Sequence, residues 1–367
     1  MFTHRHVSHT RQSRRGPSPV HLVALAGRAL VLALVALTVT ASADVSAPHG
    51  VRLARAPIPQ AAGPCFGQPA LSSHPGGTSI SAAPLQRTVT VGVAPVHAAR
   101  TLSYDWPIKP FRRQHPVRAF LDDPRGGEGG WSFHFGIDVA APDGTRVYAV
   151  EAGTVYFDSP QALAVVSPDG RTFGYWHIVP RVQSHQFVQR HQLLGFIAHG
   201  WGHVHFAEHL KGQYVNPLRP GALTPYVDHT APTISEVGLV RVGHHSSLVA
   251  SVFDTTVPRV PGPWADEPVT PALLRWRLVS GRAALTGWKT AADFRSFMLP
   301  ASRFTTVYAP GTRQNHEGEP GHYCFYLDRG WNTRALHPGS YELEVAASDM
   351  RGNRTRATFA LTVSGRS

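Results

Sequence analysis

The sequence has little lysine and few cysteines, and it lacks long apolar segments. Lysine occurs three times in 367 residues, so the formal net charge of +12 comes almost entirely from arginine. The basic residues form no long runs and no nucleic-acid-binding motif accompanies them, so we predict no nucleic-acid partner. The charge is compatible with attraction to an anionic surface such as a cell wall, and equally with an arginine-rich genome.

The apolar run at residues 29–39 is too short to span a membrane. It follows an arginine-rich stretch and precedes Ala41-Ser42-Ala43, an order that is typical of an export signal with its cleavage site. We therefore predict that residues 1–43 are a signal peptide and that the mature chain has no membrane span. The protein would then be secreted or held in the cell envelope, in the periplasm or the cell wall. Retention of the uncleaved segment as an N-terminal membrane anchor is the alternative.

Cys65 and Cys324 are the only cysteines in the chain. Export into an oxidising compartment would permit an intramolecular disulfide between them, and two unpaired thiols are the alternative. Because the two residues are far apart in sequence, a bond would stabilise the fold by about 4 kcal/mol or more, mainly by restricting the unfolded chain.

Composition divides the rest of the chain into three parts. Residues 44–100 are rich in Ala, Pro, Ser and Gly and predict a linker, with one short strand at 88–93. Residues 101–227 contain short β-like runs separated by Gly and Pro, and no stretch keeps a helical period for three turns. We predict a mainly antiparallel β domain there, with hairpin turns at Asp143-Gly144 and Asp169-Gly170.

Residues 228–367 form the predicted C-terminal domain. Alternating apolar residues at 341–347 and 356–363 flank Arg351-Gly352-Asn353, which predicts a hairpin. Several such strands predict an immunoglobulin-like or fibronectin-like β-sandwich, without the Cys-Trp-Cys signature of a true immunoglobulin domain. Tryptophans in this part could form a sugar-binding face, but burial preferences favour the core. These tryptophans are Trp264, Trp276, Trp288 and Trp331.

Two motifs carry histidine and aspartate at spacings that can build one site. Residues two apart in a strand face the same side, so the pair His203 and His205 aims two imidazoles into one site. Together with one histidine of this pair, His134 and Asp138 would complete a set of two histidines and one carboxylate. This is the ligand count of a catalytic zinc that keeps one position open for water. The motifs therefore predict a hydrolase.

The strings that carry these motifs resemble a known family. Over about residues 106–217 the chain is similar to the lysostaphin-like (LytM-type) zinc metalloendopeptidases, which cut peptide bonds in bacterial peptidoglycan. The loop at 199–202 departs from the family, because Trp201 stands where a small polar residue is usual. The matching strings are HFGIDVAAPDGTRVYAVEAGTV at 134–155, GYWHI at 174–178 and HVHF at 203–206.

The resemblance implies a role for each site residue and a mainly β, lysostaphin-like fold. His134, Asp138 and His205 would bind one Zn²⁺ per chain. His177, in a Tyr-x-His strand, and His203 would be the two catalytic histidines. The implied partner is peptidoglycan peptide, while the groups that bind substrate are not implied by any motif.

Such a site would hydrolyse peptide bonds through a zinc-activated water, since zinc lowers the pKa of its water towards about 7 and polarises the scissile carbonyl. The sequence does not divide proton transfer and oxyanion stabilisation between His177 and His203. The leading hypothesis is an exported zinc metalloendopeptidase that hydrolyses peptide cross-links of peptidoglycan. The alternatives are a catalytically silent LytM-type protein that binds the wall or activates another hydrolase, and a zinc peptidase that acts on secreted or host proteins.

Overall fold

The chain is mainly β, as predicted, in the parts that the structure describes. Besides the strands these parts contain a single α-helical turn, α1 (Phe304–Val307), and two 3₁₀ turns, Gly262–Trp264 and Ala301–Arg303. No helix within these parts is long and apolar enough to cross a membrane. The predicted signal peptide and most of the predicted linker lie outside the described residues. The computed structural model describes residues 65–66, 84–89, 103–127, 130–242, 245–281, 283–332 and 336–363.

Strands β2 to β14 build the half of the molecule that carries the histidine motifs. Seven of them form an antiparallel sheet in the order β11-β7-β8-β9-β13-β5-β2, and β14 pairs with β13 as the eighth; β10-β12-β6 form a second sheet and β3-β4 a hairpin. The strands are β2 (Val117–Ala119), β3 (Pro124–Gly127), β4 (Gly130–Phe133), β5 (Ile137–Ala140), β6 (Arg146–Tyr148), β7 (Gly153–Ser159), β8 (Ala162–Val166), β9 (Arg171–Trp176), β10 (Ile178–Pro180), β11 (Phe187–Val188), β12 (Leu193–Ile197), β13 (His203–Leu210) and β14 (Gln213–Val215).

Alternation along β13 separates the core of this half from the site. Val204 and Phe206 are fully buried in a core that also contains Phe173 and Tyr175 of β9. Because successive side chains of a strand point to opposite faces, the histidines on either side of Val204 face away from that core. The same strand thus holds the fold together with one face and presents imidazoles with the other.

Two local predictions in this half are wrong. Asp169-Gly170 joins the paired strands β8 and β9, as predicted, but Asp143-Gly144 joins β5 to β6, which belong to different sheets. The Tyr-x-His strand that the resemblance implies ends before His177, whose φ is +65°, so that β9 and β10 enter different sheets. A left-handed residue cannot continue a strand, and this residue turns the chain.

The C-terminal half has two antiparallel sheets that contribute to one core. The first has the order β1-β22-β21-β17-β18, with β19 also paired to β17, and the second has the order β15-β16-β20. β1 belongs to the predicted linker and lies close to the short strand predicted there. The strands are β1 (Pro84–Val89), β15 (Thr233–Val242), β16 (His245–Phe253), β17 (Leu273–Ser280), β18 (Ala283–Ala284), β19 (Lys289–Asp293), β20 (Cys324–Asp328), β21 (Gly339–Ser348) and β22 (Arg354–Val363).

Side chains from both C-terminal sheets meet in the core. Leu248 and Val252 of β16 share it with Trp276, Val345 and Phe359 of the larger sheet. The arrangement is that of a β-sandwich, and its immunoglobulin-like or fibronectin-like type stays a prediction. The hairpin predicted around Arg351-Gly352-Asn353 is confirmed, because β21 and β22 pair antiparallel along their whole length.

Each half contributes residues to the core of the other, across the predicted boundary at residue 228. Val269, Ala272 and Met350 pack in the core of the first half, and Phe133 packs in the core of the second. The described residues of both halves form one compact unit. The limits 101–227 and 228–367 therefore stay predictions, while the packing shows that the halves support each other.

A disulfide links the segment before the first half to the second half. Cys65 and Cys324 are bonded, with their Cα atoms 5.6 Å apart, and this confirms the pairing alternative. Both cysteines are buried, and they pack with Val249, Ala309 and Tyr326 in a small core of their own.

Candidate metal centre

Three elements of the first half place the predicted ligands side by side. His134 directly follows β4, Asp138 lies on β5 and His205 lies on β13. Because β13 pairs with β5 in antiparallel register, His205 stands directly opposite Asp138. On its other side β13 pairs with β9, which places Trp176 opposite His205.

The ligand atoms of these residues converge on one point. His134 Nε2 lies 2.8 Å from His205 Nδ1, and Asp138 Oδ1 lies 3.0 Å from His205 Nδ1 and 3.2 Å from His134 Nε2. In a tetrahedral zinc site with ligands at about 2.0–2.1 Å, neighbouring ligand atoms are about 3.3 Å apart. The three atoms are slightly closer than that, so a small relaxation would fit them to zinc. All three side chains are buried.

Hydrogen bonds around the ligands favour the neutral, metal-binding form of His134. Its Nδ1 lies 2.8 Å from the carbonyl oxygen of Phe120. A carbonyl only accepts, so Nδ1 carries the proton and Nε2 keeps its lone pair. The other ring nitrogen of His205, Nε2, is buried without a hydrogen-bond partner. A Cβ at Gly136 would lie 3.0 Å from that nitrogen and 2.4 Å from the carbonyl oxygen of Phe206, so glycine is required there.

Electrostatics favours the protonation states that a metal ion needs. Burial lowers the pKa of His134, and nearby Arg125 lowers it further. Burial likewise lowers the pKa of His205 to about 4. Burial alone would raise the pKa of Asp138, but attraction to and hydrogen bonds from the imidazoles of His134 and His203 outweigh it and hold the pKa well below its usual value. Two neutral imidazoles and a carboxylate anion result, which is the form in which these groups bind zinc.

The two predicted catalytic histidines lie beside this cluster. His203 Nδ1 lies 2.7 Å from the carbonyl oxygen of Trp201, so it donates there, and His203 Nε2 lies 3.4 Å from Asp138 Oδ1. The ring of His177 stacks on Trp201 at 3.5 Å between centroids and lies 4.7 Å from the ring of His203. Burial, followed by the charge of His203, lowers the pKa of His177 to about 3. All five residues predicted from the motifs therefore meet in one place.

These residues form the floor of a cleft of about 340 Å³. Its walls contain residues that no sequence motif marked: Arg118, Arg125, Trp264, Gln314 and Asn315. The last three belong to the C-terminal half, which therefore shapes the cleft. Trp201, noted as a departure from the family, forms another part of the wall.

Arg125 connects the cleft wall to a ligand. It lies on the β3-β4 hairpin, and its Nη2 is 3.2 Å from Asp138 Oδ2, the oxygen that faces away from the histidines. The hairpin is held by the C-terminal half, because Gly126 N donates to Gln314 Oε1 at 2.6 Å and Trp131 stacks on Phe304. The C-terminal half thus positions a cation beside the metal ligands.

Comparisons with known proteins agree with this geometry. The model of Peptidase family M23 matches residues 132–217, a range that contains all five motif residues. The DD-carboxypeptidase/endopeptidase Mpg of Neisseria meningitidis serogroup B is 31% identical over 104 residues, which are 26% of this chain and 24% of Mpg. The chain thus spans about a quarter of the length of this curated relative.

Solved structures similar to the chain cover about a third of it. A chain of the SpoIIQ-SpoIIIAH pore forming complex is 21% identical with a TM-score of 0.28, and the match covers 32% of this chain and 90% of that chain. A mutant catalytic domain of the prophage-encoded M23 protein EnpA from Enterococcus faecalis is 26% identical with a TM-score of 0.23, covering 35% and 98%. The assignment therefore depends on the family model and the motifs, and on these grounds residues 132–217 belong to peptidase family M23, the LytM type.

Proposed function

We propose that this protein is an exported zinc metalloendopeptidase that hydrolyses peptide cross-links of bacterial peptidoglycan. The observation that carries the proposal is the convergence of His134 Nε2, Asp138 Oδ1 and His205 Nδ1, within 3.2 Å of one another, on the floor of an open cleft. A structural zinc site is closed by four protein ligands, whereas three ligands at a cleft leave a position for substrate and water.

The chemistry follows from the groups around the three ligands. Zn²⁺ bound there would supply a Lewis acid that polarises a peptide carbonyl and lowers the pKa of water. His203 keeps its Nε2 lone pair towards the cluster, because Nδ1 donates to the Trp201 carbonyl, so Nε2 is placed to accept a proton from water. His177, fixed against Trp201, is placed to donate to the oxygen of the tetrahedral species or to the leaving amine.

The cleft walls support a peptide substrate that bears a carboxylate. Arg118 and Arg125 add positive charge beside the buried site, while Trp201 and Trp264 add flat apolar faces. Arginine binds carboxylates through its planar donors, and indole faces pack against extended chains. Cross-link peptides of peptidoglycan combine free carboxylates with short apolar side chains. The name of the curated relative, DD-carboxypeptidase/endopeptidase, is consistent with such a substrate.

A location outside the cytoplasm is supported by the disulfide between Cys65 and Cys324. Such bonds persist in oxidising compartments and are rare in the cytoplasm. The arginine-rich and apolar N-terminal sequence supports the same conclusion.

Digestion of purified sacculi tests the proposal. Zinc-loaded protein should release soluble muropeptides, whose mass spectra identify the bond cut, and a chelator or His203→Ala should abolish the release. Casein serves as the control substrate. Zinc-loaded protein that releases nothing from sacculi would contradict the proposal and favour a silent wall-binding or activating protein. Cleavage of casein without any release from sacculi would favour a peptidase for secreted or host proteins.

A further inference from the structure

Three buried aspartates meet on the side of the molecule where the two halves join. Asp228 lies in the segment between the halves, Asp254 directly follows β16, and Asp349 lies in the turn between β21 and β22. Their relative exposures are 2%, 1% and 5%. One carboxylate oxygen from each lies within 4.8 Å of the other two. None of the three belongs to the M23 match at residues 132–217.

Hydrogen bonds from neighbouring residues fix each carboxylate by at least one of its oxygens. Asp228 Oδ1 accepts from the backbone and the hydroxyl of Thr230, at 2.8 and 2.6 Å. Asp254 Oδ1 accepts from the backbone of Thr255 at 2.8 Å.

Asp349 is fixed through the turn that follows it. Its Oδ1 accepts from the backbone of Arg351 at 2.9 Å and of Asn353 at 2.8 Å, and its Oδ2 accepts from Asn353 Nδ2 at 2.6 Å. Asn353 Nδ2 also donates to the carbonyl oxygen of Asp228 at 2.9 Å, which ties the turn to the segment between the halves. The three side chains are thus held in place by donors outside the cluster.

Two carboxylate oxygens of the cluster have no partner. Asp228 Oδ2 and Asp254 Oδ2 are buried and accept no hydrogen bond, in a protein where most polar groups are satisfied. A buried carboxylate without a counter-charge is among the costliest arrangements in a folded protein. Three such groups within 4.8 Å of one another also repel, so their charge must be neutralised by a bound cation or by protons.

Arginine does not supply the neutralising charge directly. The charge of Arg351 acts on Asp349 and Asp228 from a distance, but its Nη2 donates to the carbonyl oxygen of Leu218 and its guanidinium stacks over Tyr226 at 4.9 Å from the ring centroid. Within the described part of the chain, no ion pair shorter than 4.0 Å includes any of the three aspartates.

We propose that Asp228, Asp254 and Asp349 bind a calcium ion at the joint between the two halves. The donors are oxygens without nitrogen or sulfur, which suits a hard cation and distinguishes the site from the histidine cluster in the cleft. Ca²⁺ accepts irregular coordination by carboxylates and carbonyls, whereas Mg²⁺ demands near-octahedral geometry and keeps most of its waters. The two unpartnered oxygens are the atoms that would bind the ion.

A cation at this point would lock three segments together. The segment between the halves, the end of β16 and the β21-β22 turn each contribute one ligand, and Met350, beside Asp349, packs in the core of the first half. Bound calcium would therefore stabilise the placement of the C-terminal half, including the cleft residues that it contributes. The effect on the cleft would be indirect, through the position of that wall.

Calcium titration of the full-length, zinc-saturated protein in calcium-free buffer tests the site. We expect one equivalent of Ca²⁺ to bind by calorimetry and the Tm to rise by about 5 °C at a hundredfold excess over Kd. Tb³⁺, a calcium probe, should luminesce on excitation of nearby Tyr226. Asp254→Asn should lose all three responses, whereas Asp266→Asn, which changes an exposed aspartate, should keep them.

Two results would overturn the proposal. The first is the absence of both a heat of calcium binding and a Tm shift in the wild-type protein, which would mean that protons neutralise the cluster. This measurement does not depend on the folding of any variant. The second is a calcium response that persists in Asp254→Asn and in Asp228→Asn. Because zinc is saturating throughout, peptidase activity on sacculi is measured separately and its absence does not affect this result.

Discussion

The guanidinium of Arg118, on β2, stacks over the indole of Trp264, with its central carbon 3.9 Å from the ring centroid. The two residues come from different halves of the molecule, and both line the cleft above the histidine cluster. Burial lowers the pKa of Arg118, and its Nε has no hydrogen-bond partner. An arginine held in this way brings positive charge to the cleft wall, where we expect it to attract a substrate carboxylate.

Loss of this stacking should raise KM more than it lowers kcat. For Trp264→Ala we expect KM for a soluble cross-link peptide to rise by about tenfold, since a desolvated cation–π contact contributes about 1–2 kcal/mol. The kcat and the zinc content should change little. Trp288→Ala is the matched control, because Trp288 contacts arginines outside the cleft. A fall in kcat without any change in KM would argue against a binding role.

The metal assignment predicts the composition of the purified protein. Wild-type protein should contain close to one zinc per chain, measured by elemental mass spectrometry, and His134→Ala should lose both the metal and the activity. The reason is that two remaining ligands cannot hold zinc tightly. His199→Ala, which removes an exposed histidine outside the cluster, should keep the zinc. Stoichiometric zinc in His134→Ala would refute the assignment.

Alanine variants of the two histidines of His-x-His, His203 and His205, should differ in their zinc content. His203→Ala should keep its zinc while kcat falls by roughly 100-fold or more, the scale typical of a lost acid-base group. His205→Ala should lose both zinc and kcat. If His203→Ala were purified without metal, the roles given to His203 and His205 would have to be exchanged.

The raised pKa of Glu267 predicts that the free energy of unfolding depends on pH. Burial, opposed in part by Arg118, raises its pKa from the ordinary 4.5 to about 7. Between these two values the folded protein binds more protons than the unfolded chain, so the stability from this group is present below about pH 4.5 and is lost as the pH rises through 7.

The variant Glu267→Gln cannot lose a proton and should remove this dependence. At pH 8 we expect it to be more stable than wild type by about 1–3 kcal/mol, because the amide occupies the same buried position without a charge that must be desolvated. Both oxygens of Glu267 are buried and lack hydrogen bonds. Thermal unfolding at pH 5 and pH 8 measures the difference. A variant less stable than wild type at pH 8 would show that the carboxylate is paired in solution.

The strands that carry the site were predictable because their signals are local. The short β-like runs predicted in residues 101–227 include β5 and β13, which carry Asp138, His203 and His205. In each, the alternation of apolar and polar residues predicts which side chains face the core. That His205 stands opposite Asp138 depends on the pairing of β13 with β5, which alternation alone does not determine.

The cleft walls were not predictable, because their residues meet only through tertiary packing. Arg118 and Gln314 are almost two hundred positions apart, and neither stands in a motif. The β3-β4 hairpin is rich in glycine and lacks alternation, so no strand was predicted there. The turn at His177 likewise depends on its surroundings, including the stacking on Trp201, because positive φ is uncommon for any residue other than glycine and nothing in the local sequence signals it.

The bond between Cys65 and Cys324 closes a covalent ring of 259 positions that contains the entire M23 match. A single backbone cut anywhere inside this ring leaves both fragments joined, so a protease that nicks an exposed loop cannot release the metal site from the rest of the protein. The ring also sets an order for biogenesis. It cannot close until Cys324 has been synthesised after Cys65, so all the strands within the M23 match exist before the bond that encloses them can form.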